Sequence, residues 1–417
     1  MPFSCLWRQA LDTDAGRAPT QPLRTHLLAL VAAIAAGVIG GCAFAKMSPA
    51  LPLLKTELGL TLIQAGWLAS AFNALAMLSA IVFGVLSDRA GSLRFCILGL
   101  VCIAAGGLLG ALAPGTPLLV ASRLVEGVGF IAIIVSAPAL ILLATAPAQR
   151  GLAFGFWSSY MPLGCAIVIT LSPLLLAQPD WGWRSLWLLV SVCALIGAAL
   201  LASQRRHYGA AGPAAPRSLA PIRGALAQPV PWLLGLVFAV YTTQNVSMLI
   251  WLPTYLQEVG HVGATAAAML TALAIFCNCF GNVFGGWLVQ RKVPRGRIII
   301  STFCITSVLF TGIFASSLPD GLRYALMLLY NAVTGMVPAA VISGAARYAR
   351  TPAEAGSLQG LVMQLANVGI FCGPPLVAAV VTFSGSWDAA LWVMLGCAVI
   401  GISGGTIIGR FERAAQT

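Results

Sequence analysis

Long apolar segments alternate with short polar gaps along almost the whole chain. Twelve of these segments are long enough to cross a membrane as helices, which requires about 20 mostly apolar residues. They run approximately over residues 27–51, 62–85, 93–113, 117–145, 151–176, 185–203, 231–255, 264–289, 297–316, 323–346, 357–382 and 387–409. The pattern predicts an all-α membrane protein with twelve transmembrane helices.

The twelve segments fall into two similar sets of six. Short motifs of the first set recur in the second after a shift of 201 to 205 residues. The recurring pairs are Leu51-Pro52 and Leu252-Pro253, Glu57 and Glu258, Gly164 and Gly369, and Trp183 and Trp387. Such a duplication is typical of membrane transporters built from repeats, so we expect two pseudo-symmetric six-helix bundles.

The longest polar gap marks the boundary between the two bundles. Residues 204–230 are rich in Pro, Gly, Ala and Arg, a composition typical of a flexible linker. We therefore expect a first bundle over residues 27–203 and a second over residues 231–409. A cytoplasmic N-terminal tail, residues 1–26, and a C-terminal tail, residues 410–417, complete the predicted organisation.

Basic residues are concentrated in every second gap. The gaps on the side of the two termini hold eighteen arginines and lysines, whereas the opposite gaps hold Lys55, Arg184 and Arg323. Basic loops remain in the cytoplasm, so both termini are expected to be cytoplasmic, in a bacterial-type inner membrane. The formal net charge of +12 therefore indicates topology, and we expect no nucleic-acid partner.

The composition argues against a soluble enzyme. Hydrophobic residues make up 59% of the chain and charged residues 8%, whereas a soluble domain is about a quarter charged. The chain has no glycine-rich phosphate loop and no His-Glu-x-x-His motif, and His26, His207 and His261 fall in separate loops. We expect no enzyme activity, no cofactor and no metal site.

The first segment has features of a processed leader. Ala43-Phe44-Ala45 resembles a cleavage site, and residues 39–42 resemble a lipid-attachment box. The internal repeat, however, requires this segment as the partner of the seventh. We therefore interpret it as a retained transmembrane helix.

The gap between the second and third segments carries a family signature. Residues 84–94 read GVLSDRAGSLR, which closely resembles the cytoplasmic loop of the major facilitator superfamily. The resemblance implies that Gly84, Asp88, Arg89, Gly91 and Arg94 form a latch that closes the cytoplasmic side. The alternative interpretation is that these charges are solvated and only set topology.

Further motifs fit the same resemblance. Arg123, Gly127 and Gly129 follow the RxxxGxG pattern of the family's fourth helix, whose Arg is associated with proton coupling. Residues 160–164 keep only part of the antiporter signature, which disfavours a drug antiporter. Residues 244–245, 251–253 and Gly260 resemble the cyanate permease branch of the family.

Once the charged residues at the ends of the segments are assigned to the loops, three charged residues lie inside predicted helices: Lys46, Arg123 and Glu126. A charge at the centre of a membrane helix costs about 2.5 to 3.5 kcal/mol on insertion scales, so each is a candidate functional residue. Their similar depths and the family resemblance place all three on helices that line a central cavity. Two purely structural alternatives stay open. Lys46 could snorkel to the headgroups, and Arg123 and Glu126 could form a pair that only stabilises their helix.

Uncharged polar residues near the middle of several helices complete the candidate site. They are Asn73, Tyr160, Gln244, Asn245, Asn331, Gln364 and Asn367. Buried amides also hold neighbouring helices together without any ligand. Gln244 and Asn331 are the strongest candidates, because their helices line the cavity in the family.

The sequence therefore predicts a secondary transporter that works by alternating access. Proton coupling through Glu126 and a small anionic substrate are expected, since two cations face one carboxylate. Export of drugs by proton antiport is the alternative within transport, and a membrane receptor is the alternative of another class. The expected partners are a small molecule, protons and lipid, and a monomer is expected.

The signature loop generates a first prediction. Asp88→Asn should leave the protein inserted but slow its transport, because the latch loses a charge-assisted hydrogen bond worth about 1.5 to 3 kcal/mol. Initial rates of flux, compared at equal amounts of inserted protein, measure this effect. Normal flux in the variant would exclude a role of Asp88 in the latch.

Overall fold

The computed structural model describes residues 24–75, 83, 91–149, 153, 156–157, 159–177, 182–208, 229–347 and 352–414. The α-helices in these ranges correspond in order to the twelve predicted segments, two of which consist of two consecutive helices. The α-helices are α1 Leu27–Ala45, α2 Met47–Leu58, α3 Leu62–Ala71, α4 Ser92–Ala111, α5 Thr116–Ala144, α6 Tyr160–Leu176, α7 Arg184–Ser203, α8 Pro229–Glu258, α9 Ala264–Gln290, α10 Arg295–Ile313, α11 Asp320–Thr334, α12 Met336–Arg347, α13 Pro352–Ser384 and α14 Ala390–Ala414.

The predicted fold class is confirmed. Helices α1 and α2 together form span 1, and α11 and α12 together form span 10. Among the described residues, ten spans are long and apolar enough to cross a membrane, and α6 is a shorter apolar helix. Three predicted boundaries move by five residues or more. Span 1 continues to Leu58 instead of residue 51, α13 begins at Pro352 instead of residue 357, and the last helix continues to Ala414 instead of residue 409.

Span 1 is interrupted at Lys46 for a reason visible in the sequence. Pro49 has no backbone N–H, so the carbonyl of Ala45 loses its helical partner. Lys46 keeps right-handed helical dihedral angles, and its N–H still donates to Cys42 O at 3.0 Å. Lys46 therefore joins the two helices without leaving the helical conformation, and the two form one span from Leu27 to Leu58.

Glycines recurring in the repeat mark close helix contacts. A Cβ at Gly164 of α6 would lie 2.3 Å from Val38 O of α1, and a Cβ at Gly369 of α13 would lie 2.0 Å from Ala239 O of α8. Any larger residue would collide with backbone at these places. The two bundles thus share the same glycine-dependent packing of equivalent helices.

We call the membrane side at which span 1 ends the distal side, and the opposite side the proximal side. On the distal side the two bundles touch along α2 and α8. Ser48 Oγ donates to Leu249 O at 2.5 Å, and Lys55 Nζ lies 2.6 Å from Glu258 Oε1. The distal ends of spans 1 and 7 are therefore closed against each other.

The distal closure also shows the repeat at the level of side chains. Trp183 Nε1 donates to Glu57 Oε2 at 2.8 Å, and Trp387 Nε1 donates to Glu258 Oε2 at 3.0 Å. Each Trp belongs to the same bundle as its Glu. The recurring Glu and Trp pairs of the sequence are therefore one contact made twice.

The distal closure can be tested by reversing one charge. Lys55→Glu places a carboxylate opposite Glu258, so the closed arrangement should become less populated. An exposed ion pair is worth at most about 1 kcal/mol. We therefore expect the ratio of distally open to distally closed protein to rise by about fivefold at most. Distances between spin labels at Thr56→Cys and His261→Cys measure it, with Lys55→Arg as the control. An unchanged distance distribution in Lys55→Glu would contradict a closing role.

Candidate functional site

The three predicted interior charges form one cluster. Lys46 lies at the interruption of span 1, while Arg123 and Glu126 are three residues apart on α5. Glu126 Oε1 accepts a hydrogen bond from Lys46 Nζ, and Glu126 Oε2 lies 2.6 Å from Arg123 Nη1. All three side chains are 0% exposed. We call these three residues the charge triad.

Arg123 ties α5 to the interruption of span 1. Its guanidinium donates to Ala43 O at 2.9 Å and to Phe44 O at 3.4 Å. The guanidinium also lies 4.5 Å from the ring centroid of Phe72, and its Nε has no partner in the described part of the chain. Ala43 and Phe44 lie in the last turn of α1, directly before the interruption, so the end of this helix provides part of the site.

Lys46 and Glu126 point into the first bundle and away from the other one. A Cβ at Gly106 of α4 would lie 2.7 Å from Glu126 Cγ, and Lys46 Nζ lies 4.5 Å from the ring centroid of Trp187 on α7. Spans 3 and 6 thus enclose both side chains. The expectation that these two residues face a central cavity is not met, because depth along a helix does not define direction around it.

The depth of Lys46 also differs from the expectation. At a rise of about 1.5 Å per residue, Lys46 lies about 18 Å from the distal end of span 1 at Leu58. The aliphatic stem of a lysine is far shorter than this distance. Because its Nζ binds Glu126 within the bundle, snorkelling does not describe this residue.

The charge triad carries an excess positive charge when all its groups are ionised. Two cations share one carboxylate, and the face of Trp187 adds a cation–π contact to Lys46. A desolvated cation–π contact is worth about 2 kcal/mol. Because a buried charge is stable only when paired, a net charge in this place is costly.

The uncharged candidates do not converge on the triad. Gln244 Nε2 donates to Met394 O of α14 at 2.7 Å, and Asn331 Nδ2 donates to Met327 O of its own helix at 3.0 Å. Asn73 is 2% exposed, and its Nδ2 has no partner among the residues that the structure describes. Tyr160 stacks on Trp157 with the ring centroids 4.5 Å apart.

The remaining uncharged candidates are half-buried: Asn245, Gln364 and Asn367. Gln244, one of the two strongest candidates, donates to the last helix of its own bundle. This bond holds two helices together, as buried amides often do without any ligand.

Two polar groups of the second bundle were missed in the sequence. Arg323 was counted with a loop, yet it is 8% exposed and donates to Ile313 O at 2.8 Å and to the hydroxyl of Tyr255. Asn278 Nδ2 donates to Asn331 O at 3.1 Å, between spans 8 and 10. Arg323 stands only three residues after the start of α11, so hydropathy could not separate it from a loop.

The predicted latch lies mostly outside the described residues, which exclude Gly84, Asp88 and Arg89. Gly91 has a φ of +86°, a conformation that favours glycine, and it directly precedes the start of α4 at Ser92. Arg94 is exposed in the first turn of that helix. The latch itself stays a prediction.

Comparisons with known proteins agree with the fold and the repeat. The sequence matches the Major Facilitator Superfamily over residues 28–374. The hexuronate transporter of Bacillus subtilis is 24% identical over 87% of this chain and 90% of that protein. The probable sulfoacetate transporter SauU of Cupriavidus necator is 25% identical over 86% and 87%. The cyanate transport protein CynX of Escherichia coli is 24% identical over 64% and 68%.

A solved structure agrees with the same fold. A bacterial homolog of the human lysosomal transporter Spinster, in an inward-facing and unoccupied conformation, has a TM-score of 0.78 and 16% identity. The alignment covers 92% of this chain and 96% of that one. The family match and the transporter relatives, and not the fold alone, support secondary transport. The chain belongs to the major facilitator superfamily, whose members are transporters and not enzymes, so the family prediction is confirmed.

The hexuronate and sulfoacetate relatives match a larger share of the chain than CynX, so the cyanate branch stays a prediction.

The packing around the triad generates a prediction on α4. A Cβ at Gly110 would lie 2.4 Å from Trp187 Cδ1 and 2.8 Å from Ser122 Oγ. Gly110→Ala should displace the ring that contacts Lys46 and lower the free energy of unfolding by about 1 to 3 kcal/mol, as overpacking does. Thermal unfolding in detergent measures this loss.

The matched control for this variant is Gly115→Ala in the loop between α4 and α5. A Cβ there would meet only Pro117 Cδ, at 4.0 Å. Equal melting temperatures of the two variants would show that the Trp187 ring is not confined by α4.

Proposed function

We propose that the protein is a proton-coupled transporter of a small anion and that the charge triad is its coupling site. The distal side is the outside of the cell in this proposal, and both termini are cytoplasmic. Transport alternates between the distally closed arrangement of the structure and one in which α2 and α8 separate. The localisation that fits is a bacterial inner membrane.

The observation that carries the proposal is the complete burial of the triad. A carboxylate and two cations that are 0% exposed are costly in a lipid-embedded bundle, and structural stability alone does not favour them over apolar side chains. Such a cluster is favoured where its charge must change during a cycle. A proton that enters or leaves the triad changes its charge without moving a large ligand.

An anionic substrate fits both the charge and the relatives. The triad has one positive charge in excess, so a negative charge nearby would be favourable in the low dielectric of the bundle. The names of three relatives specify hexuronate, sulfoacetate and cyanate, which are all small anions. A small carboxylate, sulfonate or comparable anion is therefore the substrate class we propose.

Efflux of amphiphilic compounds is the second candidate function. The stacked Trp157 and Tyr160 precede a Pro and a Gly that survive from the antiporter signature, and flat aromatic faces suit amphiphiles. Resistance to several unrelated compounds, without saturable uptake of any anion, would favour this second function.

The proposal is tested with purified protein in liposomes. Labelled glucuronate, sulfoacetate and cyanate are offered with a pH gradient imposed across the membrane. We expect one of them to accumulate above its equilibrium level in the wild type. Glu126→Gln should abolish accumulation, because the two cations then lose the carboxylate that they share.

The matched control for Glu126→Gln is Glu412→Gln. Glu412 is also buried and pairs with an arginine, Arg295, at 3.3 Å, but it lies at the proximal end of the second bundle. Accumulation should persist in this control. Full accumulation by Glu126→Gln would refute the coupling role of the triad.

A further inference from the structure

The charge triad has three protonation states that differ in net charge. With all groups ionised the net charge is +1, because Lys46 and Arg123 face Glu126. A proton added to Glu126 raises it to +2, whereas a proton lost from Lys46 reduces it to zero. Since a dry interior disfavours net charge, protonation of Glu126 gives the least favourable state and deprotonation of Lys46 the most favourable.

The other groups around Lys46 do not change this order. Arg123 cannot lose its proton in a protein. Within the described part of the chain, the titratable groups that act on Lys46 are Glu126 and Arg123 of α5 and the thiol of Cys42, one turn earlier on α1. Span 6 contributes the ring of Trp187, and the hydroxyl of Ser191 lies behind Gly107. No second carboxylate compensates the excess charge among these groups.

The geometry around Lys46 tolerates the neutral amine. A neutral amine keeps N–H groups, so it can still donate to Glu126 Oε1, and Glu126 Oε2 keeps Arg123 at 2.6 Å. A neutral Glu126 would instead leave two facing cations with one uncharged partner. The carboxylate therefore stays ionised in both favourable states of the triad.

We infer that Lys46, and not Glu126, binds and releases the coupling proton, and that the transported anion supplies the charge that keeps Lys46 protonated. This inference rests on the proposed function of the triad. The amine takes up one proton as a monovalent anion binds, and it returns that proton as the anion leaves. Binding of the anion and of the proton then strengthen each other by the same factor.

The internal repeat limits this exchange to one proton. The residue 201 positions after Lys46 is Ser247, a buried hydroxyl on α8 that cannot carry a charge. The described residues of the second bundle have no buried triad of this kind. Symport of one proton with one monovalent anion follows, and such a cycle moves no net charge.

The protonation state of Lys46 can be observed directly, because the chain has only three lysines: Lys46, Lys55 and Lys292. Protein labelled with carbon-13 at lysine Cε, in lipid nanodiscs, should give three NMR signals. We expect one signal to reach the position of a neutral amine at a lower pH than the other two, and Lys46→Met should remove it. The signals of Lys55 and Lys292 serve as references for the ammonium form.

A second arm adds glucuronate, sulfoacetate or cyanate to the same sample. The anion that is transported should convert the Lys46 signal to the ammonium position. A Lys46 signal that stays ammonium without any anion, over the pH range in which uptake varies, would overturn the inference. This outcome leaves the proposed function intact if accumulation is still lost in Glu126→Gln.

Variants of Lys46 separate the inference from a purely structural role. Lys46→Met mimics the neutral amine, so it should melt no lower than the wild type, whereas Glu126→Gln should melt lower. In liposomes, Lys46→Met keeps the triad in its anion-free charge state, so it should show no accumulation driven by a pH gradient and should exchange anion for anion only at higher anion concentrations than the wild type needs. Accumulation that persists in Lys46→Met would refute proton transfer by Lys46. Absence of any transport by the wild type would refute the proposed function, while the NMR result would still decide where the proton resides.

Discussion

The burial of two cations around one carboxylate is the constraint on which the first bundle depends. Pro49 interrupts span 1 and leaves irregular backbone beside Lys46, and the neighbouring carbonyls of Ala43 and Phe44 receive Arg123. Small residues of α4 give the Glu126 side chain space, and the Trp187 ring covers Lys46. The proline in span 1 and the glycines of α4 would weaken an ordinary apolar bundle. Together these features give the three buried charges hydrogen-bond and ion-pair partners, which lipid chains do not provide.

The two bundles share a backbone plan but differ in electrostatics. Equivalent close contacts at Gly164 and Gly369 show that the helices pack in the same way in both halves. The buried charges of the triad have no counterpart at Ser247, and the buried guanidinium of Arg323 lies near the distal end of its span instead. The two bundles have similar backbones, but only the first has a charged interior. This difference fits a cycle in which the bundles rock against each other and only the first changes its protonation state.

The sequence predicted the spans, the repeat and the identity of the triad, because each leaves a strong signal. A charge within an apolar run is rare, and the recurrence of Glu57 and Trp183 as Glu258 and Trp387 reflects a contact that the fold makes twice. It could not predict which way Lys46 points, since hydropathy fixes the depth of a residue and not its direction. The end of span 1 was placed too early because Pro52 and Lys55 resemble a loop, although Lys55 is held by Glu258.

Helix α2 connects the triad with the distal closure. It begins directly after Lys46, whose amine binds Glu126, and within two residues Ser48 contacts the other bundle at Leu249 O. Its last turns hold Lys55 against Glu258 and Glu57 against Trp183. A change in the bond between Lys46 and Glu126 therefore acts at one end of a short helix whose other end closes the protein. Coupling requires one element whose position both sites influence, and α2 meets this requirement through direct contacts at each end.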